Sequence, residues 1–307
     1  MNWKLKARVQ KIISYFPNGH KINYLFQKYV TKGVVLSDEY FYDRLEHAQR
    51  HIGCYQKLVG SLKGANTLEL GTGWYPVVPL SNFLCGANKI CSVDISQLTD
   101  KAKLKVTIDY FIKAADAGKL QQYIPYLAER LDFLKSLFSD FDKLSYEEIL
   151  AKLNLRFLVR DARHLPEFVD ASIDLIHSNN TFEHVYIDVL SDILVEFKRL
   201  TKKGGMMSHF IDMSDHFAHS DPSITIYNFL QFSNKDWQRI DNSIQPQNRW
   251  RFKDFTKLYA ELKIPVSETE VRPGSLADLA KVKVHEEWAD YSQAELAESH
   301  GYIFSVM

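Results

Sequence analysis

Only three cysteines stand in the 307 residues, Cys54, Cys85 and Cys91, and no two of them form a CxxC pair. So sparse and odd a set excludes a disulfide framework, offers no ligand spacing for a structural zinc, and fits a reducing compartment. No run approaches the ~18 apolar residues of a membrane-spanning helix. The N-terminus lacks the apolar core and small-residue cleavage site of a secretory signal, so a cytoplasmic protein is expected. Charge of one sign is missing too: 38 Lys and Arg are balanced by 38 Asp and Glu. No global field therefore draws the chain to nucleic acid. What remains, 46% hydrophobic and 25% charged residues, is the composition of an ordinary globular protein with a sizeable core.

Residues 1–60 read as a helical N-terminal extension with a break at Pro17-Asn18-Gly19. Leu5, Val9, Ile12, Ile13 and Phe16 fall on one face of the first helix, with Lys4, Lys6, Arg8 and Lys11 off it. Seven basic residues and no acidic one precede Asp38. Such a helix packs its apolar face on the domain as a lid, or lies as a peripheral contact on an anionic membrane. It lacks the interleaved aromatics that a nucleic-acid strand would stack on.

From residue 66 the pattern becomes strand-helix alternation, the mark of an α/β protein with a parallel sheet. Strands are expected at 66–70, 89–95, 156–160, 172–178 and 206–211, with two weaker ones near 266–271 and 302–306. A helix over 190–200 stops at Lys203-Gly204-Gly205, and another covers 252–262. The domain thus runs over 61–307. Within it, about 60 residues separate Asp94 from the third strand, far more than one crossover helix needs. This insertion, at about 98–153, reads as helical: Leu120, Tyr123, Ile124, Leu127, Leu131 and Leu134 recur at helical spacing, and Ser145-Tyr146-Glu147-Glu148 is a capping box.

The strongest signal follows the first strand. In Glu69-Leu70-Gly71-Thr72-Gly73 the glycines let the backbone turn sharply and approach a ligand. Asp94 comes 21 residues after Gly73, at the end of the next strand, where a carboxylate can accept from both ribose hydroxyls. Glu69 would repel a pyrophosphate but can orient a cationic amino acid portion, which disfavours an NAD-dependent oxidoreductase. Asp161, after the third strand, can accept from an adenine amino group.

In this order, Glu69-x-Gly71-x-Gly73, Asp94, Asp161-Ala162 and the segment from Asn179 to His184 resemble the motifs of class I S-adenosylmethionine-dependent methyltransferases. Asn179-Asn180-Thr181-Phe182-Glu183-His184-Val185 is similar to the subgroup that includes the ubiquinone-biosynthesis methyltransferases. The resemblance implies a Rossmann-like, seven-stranded, mostly parallel sheet whose last strand is antiparallel. It also implies S-adenosyl-L-methionine bound by Glu69, Gly71, Thr72, Gly73, Asp94, Ile95, Asp161, Ala162 and Asn179. One departure stands out: the family's third glycine is Tyr75 here, followed by Pro76, so Trp74 or Tyr75 is expected to cover the methionine part.

Methyl transfer from a sulfonium is an in-line displacement, and a hydroxyl acceptor also needs a base or a metal. The richest polar cluster, Asp212 to Asp221, holds His216 and His219. His216 is the first choice as base, with Asp212 and His184 as further catalytic candidates. No metal is expected, although Asp212, His216 and Asp221 could build a site. Arg249 and Arg251 could bind an anionic acceptor or begin a solvated helix. The expected activity is O-methylation of a small molecule or glycan. N-methylation and a non-catalytic cofactor-binding subunit are the alternatives.

Overall fold

The computed structural model describes residues 2–16 and 35–307, so Pro17-Asn18-Gly19 lies outside the described residues. Seven strands, β1 (Asn66–Leu70), β2 (Lys89–Asp94), β3 (Leu155–Val159), β4 (Ile173–Asn179), β5 (Thr201–Asp212), β6 (Glu268–Arg272) and β7 (His300–Val306), form one sheet. Their order is β3-β2-β1-β4-β5-β7-β6. β1 pairs parallel with β2 and β4, and β2 parallel with β3. The helices are α1 (Trp3–Ser14), α2 (Asp38–Leu58), α3 (Val77–Leu84), α4 (Lys101–Asp116), α5 (Ala128–Ser139), α6 (Tyr146–Lys152), α7 (Ile187–Leu200), α8 (Asn234–Ile240), α9 (Phe252–Glu261), α10 (Leu276–Leu279) and α11 (Gln293–Ala297). The chain divides into two compact units. The first comprises 36–179, 192–209 and 304–307; the second comprises 2–16, 35, 180–191 and 210–303 among the described residues.

In the first unit β1 is a run of buried residues after Asn66, as expected of a parallel strand covered on both faces. Every residue of α3 is buried. Cys54, Cys85 and Cys91 are free and buried, and burial pushes the Cys85 and Cys91 thiols up to about 12. The insertion is helical, and Ser145 and Glu148 make both bonds of the capping box. Its leucine run is nonetheless not one helix. Pro125 disfavours helical backbone at Ile124, so a short 3-10 turn at Leu120–Gln122 is followed by α5 starting at Ala128.

Gly204-Gly205 also behaves differently from its expected role. α7 ends at Leu200 and β5 begins at Thr201, so the glycines lie inside the strand. Gly204 takes φ +78°, its N–H donates to the Met307 carbonyl at 2.6 Å, and Met307 N donates to Gly205 O at 2.9 Å.

The second unit packs on an aromatic core that includes Trp3, Phe217, Phe229, Trp237 and Trp288. α1 enters it by a face other than the expected one. Trp3, Ala7 and Gln10 are buried, whereas Leu5, Ile12 and Phe16 are 56%, 59% and 57% exposed. The Trp3 ring lies 5.8 Å from both Phe217 and Phe232, and the Trp3 backbone N–H donates to Asp221 at 2.8 Å. Aromatic partners and the small Ala7 thus decide the docking face, and the aliphatic stripe stays outside.

Candidate functional site

The turn after β1 is built from backbone. Gly71 and Gly73 have φ +82° and +63°, a conformation other residues adopt at a cost. A Cβ on Gly73 would meet nothing within 4 Å, so only the backbone demands glycine there. Tyr75 does not share the left-handed conformation, which explains how the third glycine is dispensable. Thr72 Oγ1 lies 2.6 Å from Ser92 Oγ, which donates to Glu69 Oε2 at 2.9 Å. Glu69 is buried, and burial pushes its carboxyl up to about 8 against the opposing pull of Ser92 and Arg44. Burial also raises Asp94, while the backbone N–H groups of Ser96, Gly73, Ile95 and Thr72 draw it back. The Asp94 carboxylate therefore faces the glycine turn, with Ser96 N donating to it at 3.0 Å.

The other expected cofactor contacts are mixed. Ala162 is buried, but Ile95 is 76% exposed. Asp161 is exposed and takes a bidentate grip from Arg163, with Nη2 to Oδ2 at 2.6 Å. Asn179 Oδ1 meets His51 Nε2 at 2.8 Å, and His51 Nδ1 meets Ser208 Oγ at 2.5 Å. Asn82 Nδ2 donates to His177 Nε2 at 3.0 Å, and His177 Nδ1 lies 3.9 Å from Glu69 Oε1. Burial holds His51 at about 4 and His177 well below the usual imidazole range. Sequence reasoning missed this buried polar layer. Its signal was His177-Ser178 and Ser208-His209 inside otherwise apolar strands.

The second unit gathers the histidine candidates. His216 Nε2 and His300 Nε2 each lie 3.3 Å from Asp212, on different oxygens, and Ser214 N donates to it at 2.8 Å. Burial alone would raise the Asp212 carboxyl, but the bond from His216 and the neighbouring imidazoles hold it below the usual carboxylate range. His184 follows Asn180, whose φ of +49° starts the 3-10 turn Phe182–His184. Burial, then the charge of His216, lowers His184 to about 4. The His184 and His216 rings meet edge-on at 4.7 Å, and His219 stacks on His216 at 5.1 Å. A small pocket of about 10 Å³, room for roughly one water, is lined by Lys6, Gln10, His216, Phe217, Trp237 and Gln247 among others.

Three expectations change here. Asp221 accepts from Trp3 and Ser223 and does not join Asp212 and His216 in a ligand group. Among the described residues, the group able to hold an ion is instead Glu183, His184 and His216, whose ligand atoms lie within 4.8 Å of one another. Arg249 and Arg251 neither meet solvent nor await an anion. Both are buried, Arg249 donating to the Phe229 and Phe232 carbonyls and Arg251 to those of Met213 and Glu298. These bonds tie the loop before α9 to its surroundings.

Residues 122–208 match the model of a family described as a methyltransferase domain. No curated protein matches the chain. Similar solved structures include an S-adenosylmethionine-dependent methyltransferase from Mesorhizobium loti, at 12% identity, TM-score 0.44, covering 83% of this chain and 96% of that one. A geranyl diphosphate C-methyltransferase from Streptomyces coelicolor is 14% identical, with TM-score 0.44 and coverage of 88% and 86%. The 1,6-didemethyltoxoflavin-N1-methyltransferase of Burkholderia thailandensis is 11% identical, with TM-score 0.42 and coverage of 85% and 76%.

Proposed function

We propose that the chain, whose residues 122–208 match the model of a methyltransferase domain, is a class I S-adenosylmethionine-dependent methyltransferase that methylates a hydroxyl of a small molecule or saccharide in the cytoplasm. In this reading Glu69, Gly71, Thr72, Gly73, Asp94, Ala162 and Asn179 hold the donor, with Glu69 toward its ammonium and Asp94 on its ribose. Ile95 and Asp161 join only if the exposed isoleucine folds over the ligand and Arg163 releases the acid. Three free, buried cysteines accord with a reducing compartment.

The observation that carries the acceptor side is the pairing of His216 Nε2 with an ionised, buried Asp212 at 3.3 Å. A carboxylate so placed orients an imidazole and stabilises its protonated form, the arrangement a general base needs. The acceptor oxygen attacks the sulfonium methyl, the carbon–sulfur bond breaks, S-adenosylhomocysteine leaves, and the hydroxyl proton passes to His216. His184, held neutral, lines the same cluster. The test is turnover with a panel of glycosides and small hydroxylated acceptors. His216→Ala should lower the turnover number roughly 100- to 10,000-fold with donor affinity nearly unchanged. Near-normal turnover removes His216 from the mechanism.

A further inference from the structure

The second unit holds a cluster whose chemistry goes beyond a lone base. Glu183 and His184 sit side by side on the 3-10 turn after β4, and His216 comes from the loop after β5. Bond lengths of roughly 2.0–2.2 Å to a metal allow ligand atoms up to ~4.4 Å apart. The ligand atoms all lie within 4.8 Å of one another, so they need to contract by at most a few tenths of an ångström.

Both imidazoles face an acceptor at one nitrogen. His184 Nδ1 lies 2.7 Å from the Pro246 carbonyl, and a carbonyl can only accept, so the proton is on Nδ1 and the lone pair on Nε2. His216 stands against the Asp212 carboxylate at 3.3 Å. A backbone carbonyl behind one histidine and a carboxylate behind the other are the outer-shell partners that orient metal-binding imidazoles and raise their basicity. The turn itself is clamped. Asn248 N donates to the Glu183 carbonyl at 2.8 Å, and the Asn248 amide donates to the carbonyls of Phe182 and Val185 at 2.7 and 2.9 Å. Glu183 is 1% exposed, so its carboxylate is presented inside the protein.

We propose that Glu183, His184 and His216 form a binding site for a divalent first-row transition metal. Two imidazoles and a carboxylate suit zinc, iron(II) or manganese better than magnesium or calcium, which prefer oxygen alone. Three protein ligands leave a coordination position open, where a hydroxyl can bind and become more acidic. A filled site then takes over the task of His216 as base. That catalytic consequence rests on the methyl-transfer reading; the binding itself rests on the cluster alone.

The experiment is calorimetric titration of chelator-treated, full-length protein with zinc chloride, with magnesium chloride as comparison. One zinc per chain at sub-micromolar affinity, and no response to millimolar magnesium, is the expected result. His184→Ala and His216→Ala should each weaken zinc binding at least 100-fold. Asp212→Asn, which changes only an outer partner, should weaken it about 10- to 100-fold. Cobalt(II) absorption of the unaltered protein, displaced by zinc, reports the same site without any substitution. Absence of zinc binding by the unaltered protein overturns the proposal. So does undiminished binding by the His184→Ala/His216→Ala double variant, which would assign the metal to other histidines of the chain. Zinc binding without S-adenosylmethionine binding would sink the methyl-transfer reading and leave the metal site standing; the reverse pattern would do the opposite.

Discussion

Ser92 Oγ donates to Glu69 Oε2 at 2.9 Å, the one hydroxyl proton steadying a carboxyl that burial holds at about 8. At pH 7 the ligand-free protein therefore keeps Glu69 mostly protonated. A donor ammonium beside it favours the ionised form, so binding should release close to one proton. Titration of S-adenosylmethionine in phosphate and in Tris, whose ionisation enthalpies differ, should give different heats for the unaltered protein and equal heats for Glu69→Gln. Equal heats in both buffers for the unaltered protein would remove Glu69 from the ammonium site.

Stability should peak near pH 6.5. His51 is depressed to about 4 and His177 and His209 lie well below the usual value, so the unfolded chain binds protons the native state refuses. Their contribution is present above about 6.5 and fades as pH falls toward 4. Glu69 has the opposite sign: its folded value is raised, so its contribution is full below about 4.5 and is lost as pH rises to about 8. Below pH 6.5 these histidines, with His184 at about 4, outweigh Glu69, and above it the loss from Glu69 dominates. Melting temperatures across pH 4.5–9 should show the maximum, and Glu69→Gln should flatten the alkaline side. A monotonic rise through pH 8 in the unaltered protein would contradict this.

Asp94→Ala should weaken S-adenosylmethionine binding by about 1.5–3 kcal/mol, the range for hydrogen bonds to a charged group. Calorimetry should detect no NAD binding to either form. A tight NAD complex without an S-adenosylmethionine complex would defeat the cofactor assignment.

Two glycine substitutions should separate backbone cost from collision. Gly73→Ala meets open space but must keep φ +63°, a cost of roughly 1–2 kcal/mol. Gly274→Ala adds a Cβ against the Ala297 carbonyl and the Tyr227 hydroxyl, at φ +66°, and should be the more destabilising by chemical denaturation. Equal losses would mean the second site yields more than its backbone neighbours suggest.

The exposed side of α1 carries Leu5 and Ile12 with Lys4 and Arg8, and Phe16 follows just beyond its end. No described helix is long and apolar enough to cross a membrane. The protein should co-sediment with vesicles containing anionic lipid, and Leu5→Glu/Ile12→Glu should release it. Equal recovery with neutral vesicles would argue against a charge-assisted surface contact.

The sheet was legible because each buried strand ends at a chemical marker: β1 at Gly71, β2 at Asp94, β4 at Asn179. Local rules also located the capping box at Ser145 and the start of α9 at Phe252. They failed where a long-range partner decides. Trp3 turned α1 by finding Phe217 and Phe232, and Met307 drew Gly204 into a strand. Arg249 and Arg251 read as solvated because the carbonyls they cap lie far along the chain. His216 and Asp212 were found together since they are four residues apart. Glu183 was read only as part of a motif, because its juxtaposition with His216 exists only after folding.

The burial of all three cysteines has a practical consequence. With Cys85 and Cys91 raised to about 12, maleimides at neutral pH find little thiolate to attack on these side chains. Cys54, buried as well, is shielded by access. Any surface cysteine introduced at will becomes the preferred point of attachment. One dye on the exposed Lys119 position of the first unit and another on Lys235 of the second would therefore make a clean pair for single-molecule energy transfer, with no native thiol to remove first.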